Sequence, residues 1–530
     1  MWKKIIKQGD NMGRRNRRKR RRKENHEKGC YAGPLRAEER SRKAYDIRYQ
    51  AAVDQRNAPL PDHKCNGDES LYPDKIANFS KGLPHNPLGE VDLKAYKLYL
   101  KALSNGRVSD FDLIPLGGSA KLANPQAAYA FDFIGADSHK MNLPIPPTFN
   151  SAWQAGEMVE VYWRALTRDV PFSEFSSNPL TKAAACELSG LSDYRGPKVK
   201  GTVTTGTLFR GNTPGDLTGP YISQFLWKDI PFGAKTITQK YRTTTAGTNH
   251  LTSYDDWLNI QNGGPSEASL YDSEARYIRN GRDLAEYVHH DFSYQGSLSA
   301  CLILQSFGNE AIDQANPYLD SATEGGFVTF GAAHILDLVS KVACIALKAA
   351  WCQKFLIHRR LRPEEFGGRI HNHLTGNSSY PFHHEALESQ ALRKTFKQFG
   401  TYLLPMAYPE GCPTHPAYPA GHACIAGAGI TVLKAFFNES FIIPDPVEAK
   451  TDGLSLKSYE GNPLTIGGEL NKLASNIALG RDTAGVHWRS DGIEGLKLGE
   501  SIAIEILKDY SKTYNESFAG FSLTNLMVLP

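Results

Sequence analysis

The sequence predicts a mainly α protein: helical bundles with a few short β-hairpins. Three observations lead there. Apolar residues recur at helical spacing through most of the second half of the chain. The connections between those segments are short, as packed helical neighbours require. Strand-like composition is confined to a Gly- and Thr-rich stretch, residues 194–264. With 530 residues, 41% of them hydrophobic, the chain is long enough to bury a large core.

Residues 1–29 hold thirteen Lys or Arg against three Asp or Glu, a local charge of +10. The whole chain carries +5, so the body is mildly acidic. The run RRNRRKRRRK (14–23) suits a solvated, disordered tail, a contact with an anionic surface or nucleic acid, or a nuclear address. From Cys30 to about Leu103 come short helical pieces, AEERSRKAYDIRYQAAV and EVDLKAYKLYLKAL; in the latter Leu93, Tyr96 and Leu100 share a face. Residues 104–150 are loop-rich, with prolines in LIPLGG, NPQ and LPIPP. Residues 151–193 read as helical, and 194–264 as short hairpins or loops.

From 266 onward helices dominate, with candidates at 270–289, 295–307, 329–361, 383–402, 421–438, 466–480 and 488–510. The most hydrophobic stretch, Gly331 to Trp351, carries Asp337, Lys341 and Lys348, so it reads as a buried amphipathic helix and not a membrane span. No apolar segment of signal-peptide type opens the chain. A soluble protein is expected, cytoplasmic by default. The division that follows is a basic tail at 1–29 and a single large helical domain at 30–530, whose catalytic core is about 266–530. Eight cysteines show no CxxC pair. Cys301, Cys344 and Cys352 lie in apolar helical contexts and are expected in the core, and nothing requires a disulfide.

Residues with chemistry cluster in three places. In W351-CQKFLIHRRL-R362-P363, Lys354 and Arg362 stand eight apart near a helix end, which Pro363 is expected to terminate. Alone, this is equally a solvated basic helix end. In HPAYPAGHA (415–423), Gly421 and His422 open a helix, whose free N–H groups and dipole favour an anion. Alone, it is equally a plain helix start with a solvated His. In R481-DTAGV-H487-WRS-D491, Asp491 stands four residues after His487. On one helical face it can accept the imidazole N–H and leave the other nitrogen basic. Alone, it is equally a surface ion pair. Together, two Arg, one Lys, a helix start and two His suit a tetrahedral oxyanion such as phosphate or vanadate.

The pattern K-x7-RP, P-x-GH, R-x5-H-x3-D resembles the vanadium-dependent haloperoxidases, which share it with type 2 phosphatidic acid phosphatases and bacterial acid phosphatases. AAWCQKFLIHRRLRPEEFGG, THPAYPAGHACIAGAG and LASNIALGRDTAGVHWRSDG resemble the algal and cyanobacterial bromoperoxidases in particular, as do NFSKGLPHNPLGEVD and RDLAEYVHHDFSYQ. The likeness covers about residues 30–530. It implies that His487 binds vanadium; that Lys354, Arg362, Arg481 and the Gly421 N–H hold the vanadate oxygens; and that His422 is the acid–base residue. Asp491 would support His487, Trp351 would line the pocket, and Gln353 would stand behind Lys354. His415 matches a position that is His in bromoperoxidases, which leans the chain to bromide and iodide.

Ala420 departs from the pattern, where a Ser hydroxyl is expected. One such lost hydrogen bond is worth about 1–3 kcal/mol of oxyanion binding. The resemblance further implies hydrogen peroxide and halide as substrates, organic halogen acceptors, and a homo-oligomer, as large as a dodecamer. It also suggests structural calcium, for which the acidic loop Asp313–Asp320–Glu324 is the candidate.

Two other function classes remain at this point. A soluble phosphatase of the same superfamily would use His487 as nucleophile and His422 as acid to the leaving alcohol. A non-enzymatic role would rest on the tail binding nucleic acid, which nothing in the body supports.

Overall fold

The structure, a computed structural model, describes residues 33–526. The basic run 14–23 lies outside them. The chain divides into two units, residues 1–50 and 51–530. Helix α1 (Ala37–Asn57) is strongly polar and has no buried residue.

The second unit is helical. Helix α2 (Leu93–Asn105) starts where Asp92 accepts the Ala95 N–H and stops at Gly106, whose φ of +64° suits a residue without Cβ. Then come α3 (Ala152–Leu166) and α4 (Pro179–Gly190), a hairpin of β1 (Ile230–Phe232) and β2 (Lys235–Ile237), and α5 (Tyr254–Gln261). Helices α6 (Gly281–His290), α7 (Gln295–Gln305), α8 (Ala332–Trp351), α9 (Pro363–Leu374) and α10 (Gln390–Phe399) follow. Helix α11 (Gly421–Phe436), a second hairpin of β3 (Val447–Ala449) and β4 (Leu456–Ser458), α12 (Ile466–Ala484) and α13 (Arg489–Ser511) complete the fold.

Helix α11 is the hub. Every residue in it except His422 is buried, because it is apolar nearly all round; Thr431 and Lys434 are buried with the rest. It packs chiefly on α13, then on α8 and α12. Two glycines set the α11–α13 approach: a Cβ at Gly427 would collide with the Leu496 carbonyl, and one at Gly499 with that of Cys424.

The differences from the sequence reading have local causes. Residues 270–280 are not helical. They make antiparallel bridges, Tyr271 to Thr244 and Arg276 to Tyr241, and α6 begins only where Asn280 accepts the Asp283 N–H. The segment expected as one helix at 329–361 breaks. After Trp351 the backbone widens into a π turn, Cys352–His358, closed by Arg359 at φ +40°. Pro363 ends nothing in that helix; it is the first residue of α9, where its missing N–H costs nothing. The segment 383–402 divides because Ser389 caps a new start. Helix α5 was not expected inside the hairpin region; Ser253 caps it. Cys344 is exposed, not a core residue, whereas Cys301 and Cys352 are buried; all seven described cysteines are free. No described helix is long and apolar enough to cross a membrane.

Candidate active site

Four chain segments converge on one point. The first is the π turn after α8. Extra width there turns Lys354 inward while Phe355 anchors the turn in a small apolar cluster with Leu83, Val91, Tyr96 and Tyr99. Lys354 is fully buried, and its Nζ donates to the carbonyls of Pro416 and Ala417, each at 2.8 Å. Burial, then the charge of Arg362, push its ammonium well below the ordinary range.

The second segment is the start of α9. Arg362 is its cap residue, not a neighbour of Lys354 on one helix as the spacing suggested. Its backbone N–H donates to Glu365, and its guanidinium is fully buried. Nε and Nη2 donate to the His415 carbonyl at 2.9 and 2.8 Å, and Nη1 to that of Val486 at 2.7 Å. Nη1 also reaches His487 Nε2 at 3.0 Å, and Nη2 reaches His415 Nδ1 at 2.9 Å. Both ring nitrogens accept, because a guanidinium only donates.

The third segment is the strap leading into α11. The first N–H groups of α11, at Gly421 and His422, point out of the helix end with no acceptor inside it. Ala420 occupies the cap position without a side-chain bond; it is fully buried, its N–H donating to the Asp491 carbonyl at 2.9 Å. Trp351 closes over Gly421 so tightly that a Cβ there would meet its ring at 3.2 Å. The His415 ring lies 4.8 Å from the same indole.

The fourth segment joins α12 to α13. Arg481 sits in the last turn of α12, and Gly485 at φ +88° swings the chain back. His487 precedes the cap of α13 and Asp491 lies in its first turn, so they meet across a helix start, not along one face. The His487 Nδ1–H donates to Asp491 Oδ2 at 2.8 Å, which leaves Nε2 basic. Burial, followed by the charges of Arg362, Lys354 and Arg481, holds His487 well below the ordinary histidine range; His415 is lowered in the same direction by burial and Lys354.

A cavity of about 210 Å³ opens over this ground. Trp351, His415, Gly421, His422, Arg481 and His487 line it, together with Asp291. Lys354 and Arg362 lie behind its wall. Gln353 turns away: its Nε2 donates to the Met141 carbonyl at 2.8 Å, so it does not stand behind Lys354 as expected.

Two partners were missed. Asp291, just past α6, accepts from His422 Nε2 at 3.1 Å. It stands in the RDLAEYVHHDFSYQ segment, and nothing in its spacing tied it to His422. Arg360 lies in the basic run already noted. Its guanidinium donates to Asp491 Oδ1 at 2.8 Å and also to Gln154 and Glu157 of α3.

The residues fit an oxyanion. Lys354, Arg362 and Arg481 are three buried basic side chains whose charged groups touch no carboxylate among the described residues. Arg481 Nη1 is spent on the Val288 carbonyl and the Tyr408 hydroxyl, but its buried Nε has no partner. Burying uncompensated charge is costly, and an anion in the cavity would relieve it. The acidic loop at 313–324 shows no such convergence. Asp313 accepts the Ala315 N–H in a local turn, and its carboxylates form no converging trio among the described residues.

A buried cationic cradle at a helix start, with one imidazole held unprotonated at Nε2 by a carboxylate on its other nitrogen, defines a helical protein suited to a tetrahedral oxyanion. The model of the VCPO second helical-bundle domain matches residues 336–516, the span that carries all three motifs. The chain is 38% identical to a vanadium-dependent bromoperoxidase of Ascophyllum nodosum over 478 residues, 85% of each chain. It is 36% identical to that of Corallina pilulifera, covering 90% of this chain and 96% of the other. The solved structure of a second vanadate-dependent bromoperoxidase of Ascophyllum nodosum, described as homohexameric, superposes with a TM-score of 0.86. That likeness is at 33% identity over 91% of this chain and 86% of the other. The chain belongs to the vanadium-dependent bromoperoxidases.

Proposed function

We propose that the cavity holds vanadate and that the enzyme oxidises bromide, and iodide, with hydrogen peroxide to a hypohalite-level species that halogenates organic acceptors. The observation that carries the site assignment is the buried trio of basic side chains around an unprotonated His487 Nε2. Lys354, Arg362, Arg481 and the Gly421 N–H would hold the oxygens, and His487 the metal. Bound vanadate supplies a Lewis acid that activates peroxide without changing its own oxidation state.

The protein's part is positional and protonic. Asp491, itself pinned by Arg360, holds His487 in one tautomer. His422 Nε2 faces Asp291, which leaves Nδ1 to take the proton of incoming peroxide and to return it to the departing oxygen. Lys354 keeps a third N–H beyond the two it gives to carbonyls, and turns it on developing negative charge. Arg362 fixes His415 through Nδ1, so that His415 and Trp351 together shape the halide side.

Residues 266–530 act as the catalytic core in this reading, and α3 of the preceding region braces it through Gln154 and Glu157. Exposed Phe131, Phe133, Phe327 and Val328 support a homo-oligomer. A hexamer, as in the similar structure, and a dodecamer are separated by light scattering. The deciding experiment is reconstitution of vanadate-free protein, assayed by bromination of monochlorodimedone. Vanadate- and bromide-dependent turnover is expected. Phosphate-ester hydrolysis without halogenation would establish the phosphatase alternative instead.

A further inference from the structure

On the outer face of α6, beside the cavity but separate from it, stands a second constellation. Glu286, His289 and His290 follow one another at i, i+3 and i+4, so all three share one side of the helix. Among the described residues they are the one His/Cys/Asp/Glu trio whose ligand atoms all lie within 4.8 Å of one another. Glu286 is buried, His289 half-buried and His290 exposed, so the cluster opens to solvent.

The hydrogen bonding around His289 is incomplete. Its Nε2 donates to Glu410 Oε1 at 2.5 Å. On the other side of the ring Nδ1 lies 3.6 Å from Glu286 Oε2, buried and without a hydrogen-bond partner. Against the effect of burial, the Glu286 and Glu410 carboxylates raise the imidazole above its ordinary range, so a metal ion here would take the place of a proton on Nδ1. Glu286 Oε1 is also buried without one. It lies 3.2 Å from His290 Nε2, with the half-exposed Arg242 3.7 Å away. The gap between Nδ1 and the carboxylate calls for a positive charge, which a proton or a metal ion supplies.

We infer that Glu286, His289 and His290 form a binding site for a divalent transition-metal ion of the zinc class. Two imidazole nitrogens and one carboxylate favour such an ion over calcium or magnesium, which prefer all-oxygen shells. The placement allows it: one ligand atom from each residue lies within 4.8 Å of the others, and the two carboxylate oxygens face the two rings, Oε1 at 3.2 Å from His290 Nε2 and Oε2 at 3.6 Å from His289 Nδ1. Glu410 then orients the imidazole from behind, as carboxylates do for metal-bound histidines. Water completes the coordination on the exposed side.

The site has its own route to the cavity. The next residue after His290 is Asp291, which holds His422. The His289 ring stacks on Tyr408 at 3.7 Å, and the Tyr408 hydroxyl accepts from Arg481. A metal here clamps the end of α6 that carries Asp291.

The test is a calorimetric titration of the vanadate-loaded enzyme with Zn²⁺ in a non-chelating buffer, with metal content measured after gel filtration. One zinc per chain in addition to vanadium is expected, with a higher melting temperature for the zinc-loaded protein. Glu286→Gln and His290→Asn should each weaken binding at least tenfold, and Glu410→Gln by roughly 10- to 100-fold. His290 is half-exposed, so its variant keeps the test alive if Glu286→Gln does not fold. No stoichiometric zinc, or zinc bound unchanged by His290→Asn, would overturn the site and leave His289 as an imidazolium shared between two glutamates.

Discussion

Two histidine–carboxylate pairs flank the cavity, and they are built differently. His487 and Asp491 are sealed, their side chains 2% and 0% exposed, and Arg360 occupies the second carboxylate oxygen. His422 and Asp291 form the rim pair, with the imidazole 31% exposed. The sealed pair cannot change tautomer without breaking a buried network that reaches α3. The rim pair makes one hydrogen bond and keeps an open side toward the cavity. The first suits a ligand that must stay fixed, the second a residue that must exchange protons.

That contrast can be broken in a graded way. His487→Ala removes the imidazole of the sealed pair; vanadate retention through gel filtration and bromide oxidation should both be lost. His422→Ala should spare vanadate retention and lower turnover by roughly 10²- to 10⁴-fold, the usual worth of a positioned acid–base group. A matching loss of vanadate would make the two pairs equivalent and sink the distinction. Arg360→Met leaves the Asp491 and Glu157 carboxylates without their buried cation. It should weaken vanadate binding about 10- to 100-fold and cost about 3–5 kcal/mol of stability, read by denaturant melts.

Acid separates the buried histidines from the surface. His487 and His415 are held well below the ordinary range, and burial pushes His358 and His85 down to about 3. The folded state therefore refuses protons that the unfolded chain takes below about pH 6.5, the ordinary histidine value. The stability these histidines contribute to the vanadate-free protein is fully present above that pH and falls as pH drops from about 6.5 toward 3, while buried carboxylates raised by desolvation, such as Asp68 at about 6, oppose it. His358→Gln should flatten part of the slope in a melting series; an unchanged slope would show that His358 is protonated in the fold.

The smallest change is Ala420→Ser. A cap-position hydroxyl is drawn both to the free N–H groups of α11 and to an anion. Vanadate affinity should rise by about 1 kcal/mol, roughly fivefold, the lower end of the range the missing hydrogen bond suggests. Equal affinities in the two proteins would mean that Gly421 and the cations already saturate that oxygen.

Much of the site was legible one segment at a time. Gly421 and His422 open a helix because the run after them is small and apolar, and Asp491 reaches His487 across four residues. Trp351 and Arg481 both line the cavity, whereas Gln353 turns to Met141. Asp291 was not legible because 131 residues separate it from His422, and no local rule links such positions. Arg360 was visible as one charge among five, but which of those charges turns inward depends on the π turn that rotates the chain between Lys354 and Arg362.

The same division holds for the fold. Composition and 3.6-residue periodicity determined a helical protein by themselves, because burying an apolar stripe is a local demand on sequence. Which residues would carry chemistry came from the joint spacing of three motifs and the family they resemble, not from composition or periodicity. Tertiary packing decided where helices break, after Trp351 and before Ser389, and which cations lose their water. Those outcomes depend on partners far along the chain: Pro416 and Ala417 for Lys354, Val486 for Arg362, Val288 for Arg481. A charge becomes a binding group only when the fold strips its solvent and leaves it short of a counterion, and no single segment can do that alone.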